Sequence, residues 1–278
     1  MLAAPIPLRP YDEVLSLMTS FGPFTLEVDA SGVGSVTFEQ PPVNAFSLTV
    51  YEALGSLVDA VTSSDAIRVL VIAAPESARA WCGGADVNDF VGMDPKRRKE
   101  RYAFINAVLP RFARLDRPVI AAVNAHAVGI GVVLAGLCDL RIAAESATFA
   151  CPEINFGLVG GGAGLFSYLN LPEAFIREML YTGRRFSAQE MQQAGFLNSV
   201  VPRNQVLPAA LDLARVIAEK SLPSLKARKN VFVAIEELSW NDGYLLAQGA
   251  SAELVAGRDA GEGVNAFLEH RRANLVDD

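Results

Sequence analysis

The sequence predicts an α/β fold that gives way to a helical C-terminal region, and three observations carry the prediction. Short, wholly apolar, β-branched runs recur in the first half, "RVLVIAA" (68–74) and "VIAAV" (119–123), as expected of strands covered on both faces. Segments of helical periodicity lie between them. After residue 205 the pattern changes: Leu207, Leu211, Ala214 and Ala218 follow at spacings of four, three and four.

Taken in order, residues 1–22 read as a loosely attached extension, with three prolines in the first ten residues. Phe24 to Val28 and Val33 to Phe38 flank "DASGVG", whose Asp and Gly suit a hairpin turn, so two antiparallel strands are expected. Ser47 is an N-cap candidate for a helix over 48–62, where Leu54, Leu57, Val58 and Val61 share one face. Asp94 and Pro95, a cap followed by proline at the first helical position, open a charged and mostly exposed helix. From Pro118 to Cys138 no side chain is charged, a run long enough to raise the question of a membrane span. Asn124, His126, Gly129 and Gly131 interrupt it, so it reads instead as a buried strand, a glycine turn and two turns of helix over 130–137. "DLRIAA" (139–144) starts another strand, and further helices are expected from Leu222 and from Asn241 to the end. The organisation expected is an extension (1–22), a core (23–205) and a helical C-terminal region (206–278).

Composition narrows the function. A formal charge of −7 and a pI near 5.0 argue against non-specific nucleic-acid binding, which needs a basic surface. The N-terminus has no apolar stretch behind a basic start, so a signal peptide is not read and a cytoplasmic protein is expected. Cys82, Cys138 and Cys151 form no CxxC pair and suit reduced thiols. With two histidines, no HExxH and no GxSxG, neither a histidine-based metalloenzyme nor a serine hydrolase is indicated; His126 reads as a satisfied residue beside a turn. "VGIGVVLAG" and "GLVGGGAG" both lack the third glycine of a dinucleotide fingerprint, and no GxxxxGK occurs.

What remains is a tight turn that delivers Ile130 to the start of a buried helix. Amides there are unpaired within the helix and sit at the positive end of its dipole, so they suit a developing negative oxygen. A second glycine turn, "WCGGAD" (81–86), offers another N–H. Two such donors make an oxyanion hole, in which one donor is worth roughly 3–4 kcal/mol.

These residues resemble the crotonase (enoyl-CoA hydratase/isomerase) superfamily. The resemblance runs from about Phe24 to Arg271 and rests on "PPVNAFS" (41–47), "WCGGAD" (81–86), "RPVIAAVNAHAVGIG" (117–131), "CDLRIAAESATFACPE" (138–153) and "YTGRRFSAQEMQQAGFLNSVVP" (181–202). It implies a crotonase-like ββα spiral core, a C-terminal helical oligomerisation region that builds a homotrimer or a dimer of trimers, and an acyl-CoA thioester as substrate. No metal or redox cofactor, nucleic acid or membrane is implied. By the same resemblance the backbone N–H groups of Gly83 and Ile130 would form the oxyanion hole, and Ala45, Gly83, Gly84, Ala85 and Asp86 would contact coenzyme A. Lys226, Arg228 and Lys229 are candidates for its phosphates, with a solvated helix face as the plain alternative. Asp86 and Asp139 read as structural carboxylates.

The family's hydratases carry two catalytic glutamates. The second is present as Glu153; the first position is Val133, which cannot activate a water. Gly160 also stands where proline is common. One carboxylate can take a proton from C2 and return it at C4, so isomerisation is favoured over hydration. Alternatives are hydrolysis of a C–C bond in a cyclic β-keto thioester, as in relatives with an apolar or small residue at the Val133 position, and a non-catalytic acyl-CoA binding protein. Phe104, Phe112, Phe156 and Phe166 hint at a bulky acyl group, or at ordinary core packing.

Overall fold

In the computed structural model, residues 17–160, 169, 171–236 and 238–278 are described. Leu17–Phe21 forms a strand, β1, that pairs antiparallel with β2 (Phe24–Val28) from Leu17↔Val28 to Phe21↔Phe24. The expected extension therefore gives up its last residues to the sheet; the signal was missed because "LMTSF" alternates too briefly beside the prolines. Residues 1–16 lie outside the described residues.

From there the chain repeats one move. A strand enters the large sheet, a short strand enters a smaller sheet, and a helix returns. The units are β3 (Val33–Phe38), β4 (Ala45–Phe46) and α1 (Leu48–Thr62); then β5 (Val69–Ala73), β6 (Ala80–Cys82), β7 (Gly84–Ala85) and α2 (Pro95–Ala113). Next come β8 (Val119–Val123), β9 (His126–Val128) and α3 (Ile130–Leu137), followed by β10 (Leu140–Ala144) and β11 (Thr148–Ala150). This is the expected ββα spiral. After α4 (Glu173–Thr182), β12 (Phe186–Ser187) and α5 (Ala188–Gln193), the strand β13 (Ser199–Val201) completes the large sheet in the order β1-β2-β3-β5-β8-β10-β13, parallel from β3 onward. The smaller sheets are β12-β11-β9-β6 and β4-β7.

Every residue of β5 and β8 is buried, which is why these strands read as continuous apolar runs. One face meets α6 (Val206–Ala218), whose Val206, Ala210, Ala214 and Ala218 are buried against β3, β5, β8 and β10. This helix, the first beyond residue 205, closes the core rather than standing apart from it. Phe24, Phe38, Phe46 and Tyr51 form a chain of ring contacts at centroid separations of 4.8–6.3 Å beneath the hairpin. Fully burying one such ring is worth about 2 kcal/mol.

The remaining helices are α7 (Leu222–Ile235), α8 (Trp240–Leu254) and α9 (Arg258–Leu268). Helix does not run to the end as expected: residues 269–278 turn back. Arg68 pairs with Asp277, while Asp259 Oδ1 and Oδ2 accept the Val276 and Asp277 N–H groups at 2.7 and 3.1 Å. The apolar stretch 118–138 divides into β8, β9 and α3, and no helix of the described residues is long and apolar enough to cross a membrane.

Arg117 carries a buried charge at the entry to β8. It is fully buried; its Nε donates to Ile67 O at 2.5 Å, Nη2 to Ser64 O at 2.8 Å, and Nη1 to Asp116 Oδ1 at 2.7 Å. Removing it strands the carbonyls after α1 without donors. Arg117→Met should lose about 3 kcal/mol of stability, read as a lower urea midpoint at unchanged slope; a loss under roughly 1 kcal/mol would show that water replaces the guanidinium.

Candidate active site

The site is built where successive turns of the spiral touch without side chains between them. β6 pairs with β9 (Ala80↔His126, Cys82↔Ala127), so "WCGGAD" and "HAVGIG" run side by side. A Cβ at Gly131 would stand 2.5 Å from Cys82 O, and one at Gly84 would stand 3.3 Å from Val128 O. Glycine at 131 is required by that approach. Gly129 has φ +53°, a left-handed conformation, and turns the chain sharply into α3.

This turn also meets Glu153, which leads the single helical turn Pro152–Phe156 after β11. β11 pairs with β9 (Phe149↔Ala127, Ala150↔Val128), and Gly129 donates its N–H to Ala150 O at 2.8 Å. A Cβ at Gly129 would lie 2.9 Å from Glu153 Oε1 and 4.0 Å from Gly84 Cα. Three sequence-distant pieces, Gly84, Gly129 and the Glu153 carboxylate, therefore converge. Glu153 is half-buried, and burial pushes its carboxyl above the usual glutamate value. Gly160 packs on the same side chain: a Cβ there would fall 3.0 Å from Glu153 Cδ, and proline in its place would press on the carboxylate. Residues 161–168, with the Phe166 singled out above, lie outside the described residues.

The carbonyl of Gly129 accepts from Val132 and Val133 at 2.9 and 3.2 Å, leaving Ile130 in the first helical turn, where no preceding helical carbonyl reaches its amide.

At the other turn the structure corrects the expectation. The Gly83 N–H donates to Val43 O at 2.8 Å, so it is spent on the scaffold. Asp86 N–H donates to Phe46 O at 3.0 Å, and Phe46 stands opposite Ala85 in the β4-β7 pair. In a parallel pair, one residue bonds to the two neighbours of its opposite number, which turns the amide of Ala85 away from β4. The resemblance placed the donor at Gly83, and the pairing of β4 with β7, which moves it, is not written in the motif.

Ala45 lies opposite Gly84, so the candidate coenzyme A residues Ala45, Gly83, Gly84, Ala85 and Asp86 do come together. Asp86 caps the turn Val87–Phe90, its Oδ1 accepting from Asn88 N at 2.9 Å and Nδ2 at 2.8 Å. Asp139 is likewise structural, accepting Val119 N–H at 2.8 Å. Its other oxygen takes Lys229 Nζ at 2.7 Å, so buried Lys229 is committed to an ion pair inside the protein. Lys226 is held by Asp65 at 2.6 Å, which leaves exposed Arg228 as the remaining phosphate candidate of the three.

His126 Nδ1 bonds Thr148 Oγ1 at 2.9 Å, as a satisfied histidine should. Cys82 is fully buried, and burial pushes its thiol up to about 12, which removes it as a nucleophile. Phe112 belongs to the core, whereas Phe104 and Phe156 are exposed. Val133 is half-buried in α3, three residues past Ile130.

Known proteins resemble this chain along most of its length. The family model for enoyl-CoA hydratase/isomerase matches residues 29–278. A 2,3-dehydroadipyl-CoA hydratase of Escherichia coli is 32% identical over 242 residues, 85% of this chain and 92% of that protein. A (7aS)-7a-methyl-1,5-dioxo-2,3,5,6,7,7a-hexahydro-1H-indene-carboxyl-CoA hydrolase of Mycobacterium tuberculosis is 31% identical over 89% of this chain and 99% of that protein. The crystal structure of an enoyl-CoA hydratase from Bacillus anthracis superposes with a TM-score of 0.86 at 26% identity, covering 92% of this chain and all of that one. With a spiral of ββα turns, paired glycine turns and matches along nearly its whole length, the chain belongs to the enoyl-CoA hydratase/isomerase family of acyl-CoA-processing enzymes.

Proposed function

We propose that this enzyme shifts a carbon–carbon double bond in an acyl-CoA thioester, with Glu153 as its one acid/base. The observation that carries the reading is the Glu153 carboxylate set against the Gly129–Ile130 turn while Val133 fills the position that would activate water. The thioester carbonyl sits between the amides of Ile130 and Ala85, the latter replacing Gly83. Glu153 removes a proton from C2, the charge spreads onto the carbonyl oxygen as a dienolate, and the same carboxyl returns the proton at C4. Each atom is accounted for without water. Ala45 and residues 83–86 hold coenzyme A through backbone, Arg228 faces its phosphates, and no metal or redox group takes part. C–C hydrolysis of a cyclic β-keto thioester is the second reading, supported by apolar Val133 and the likeness to the mycobacterial hydrolase.

The helical C-terminal region (206–278) serves self-association in this reading. Phe232, Trp240, Tyr244, Phe267 and Leu268 are all more than half exposed on α7, α8 and α9, an apolar surface large enough to need a cover. A homotrimer or a dimer of trimers would supply it. Light scattering should return three or six times the 29.7 kDa chain mass, and a monomer at micromolar concentration would refute the assignment.

The chemistry is tested by following the conjugated thioester in the ultraviolet. Conjugation should appear from a 3-enoyl-CoA, and Glu153→Gln should slow it by roughly 10²–10⁴-fold. Conjugation lost from a 2-enoyl-CoA would establish hydration instead, and cleavage products from a cyclic β-keto thioester would establish the hydrolase.

The raised carboxyl has a second consequence. Its folded-state pKa exceeds the unfolded one, so the folded state holds the proton longer, and stability falls as pH rises through the folded value. Glu153→Gln removes that loss. The variant should melt higher than the parent at about pH 7.5, with the gap closing below about pH 4; a parent that melts higher at neutral pH would place an unrecognised cation on Glu153.

A further inference from the structure

Arg101 of α2 is buried at 5% exposure, with a guanidinium only partly used. Nη1 pairs with Asp89 Oδ2 at 2.5 Å, whereas Nη2 is buried with no hydrogen-bond partner. An unpaired buried donor of this kind costs stability unless something else satisfies it. The group is tied to the site already described. Asp89 and Phe90 lie in the turn that Asp86 caps, directly after "GGAD", and the guanidinium carbon sits 5.2 Å from the Phe90 ring centroid and 5.9 Å from that of Tyr51. Tyr51 in turn is buried; burial raises its hydroxyl and the neighbouring Arg101 charge opposes the rise. Arg98 lies over Phe90 as well, at 4.6 Å, with its Nε on Tyr102 Oη at 3.0 Å. Two guanidinium groups thus face Phe90 against the one carboxylate paired there, Asp89.

We propose that Arg101 Nη2 binds a carboxylate carried at the far end of the acyl group, which makes this a site for ω-carboxylated acyl-CoA thioesters. The inference rests on the reading of the chain as an acyl-CoA enzyme and deepens it. A carboxylate supplies the missing acceptor, balances the excess positive charge and takes the planar fork that guanidinium offers. A methyl-ended chain of the same length leaves Nη2 unsatisfied.

The test uses the unreactive saturated thioesters: dicarboxylic mono-CoA esters of increasing length, and their methyl-ended equivalents, titrated calorimetrically into the full-length protein. One member of the carboxylated series should bind roughly tenfold tighter or more than its methyl-ended partner. Because Arg101→Met alone leaves the half-buried Asp89 without its paired cation and threatens folding, the double variant Arg101→Met/Asp89→Asn is measured with it. In that variant the preference should fall to within about twofold. Equal binding of the two series by the parent, or a preference that survives in a folded double variant, would overturn the inference and leave the acyl-CoA assignment standing. Failure of both series to bind would overturn the two together.

Discussion

The contact on which the site depends is the approach of one backbone to another between successive turns of the spiral. Cys82 O faces the Cα of Gly131 so closely that a methyl group there would stand 2.5 Å away, and Gly84 meets Val128 in the same manner. Side chains of ordinary size would hold the two turns apart. Because they are absent, β7 and the first turn of α3 stand near one another, β7 paired with β4 and α3 packed on β9 and β6. The proposed oxyanion hole is thus made of main chain, whose dipoles would need no reorganisation as charge develops between them.

Rigidity behind that contact comes from charges buried where they are bonded on several sides. Arg117 ties the end of α1 to the start of β8, and Asp139 ties β8 to α7 through Lys229. These pairs join elements far apart in sequence. They also explain why the two lysines of α7 are poorer candidates for phosphates than Arg228: Lys229 and Lys226, already paired with Asp139 and Asp65, would have to break those pairs to reach a ligand.

Most of the fold was legible because the apolar runs and the periodicities are unmixed. The hairpin strands, the helix over 48–62 and the strand–turn–helix of 119–137 fall where the sequence puts them, since burial on both faces of β5 and β8 leaves no competing pattern. Local signals failed where a partner decides the outcome. β1 is a strand because β2 offers it an edge, and the last ten residues leave the helical path because Arg68 and Asp259 hold them. At the site, the glycines announced a turn and Glu153 announced a carboxylate. Which of Gly83, Gly84 and Ala85 presents its amide depended on the register of β4 against β7, and no spacing rule contains that register.

The chemistry then follows from what surrounds a single carboxylate. With valine at position 133, burial raises the Glu153 carboxyl above the usual glutamate value, which makes the carboxylate a stronger base than an exposed one. Such a group is matched to lifting a proton from carbon next to a thioester whose enolate the amides hold. Delivering hydroxide would call for a second base, a role that Val133 does not supply. In the proposed reaction, valine at position 133 leaves no water-activating carboxylate there and the proton transfer rests on Glu153.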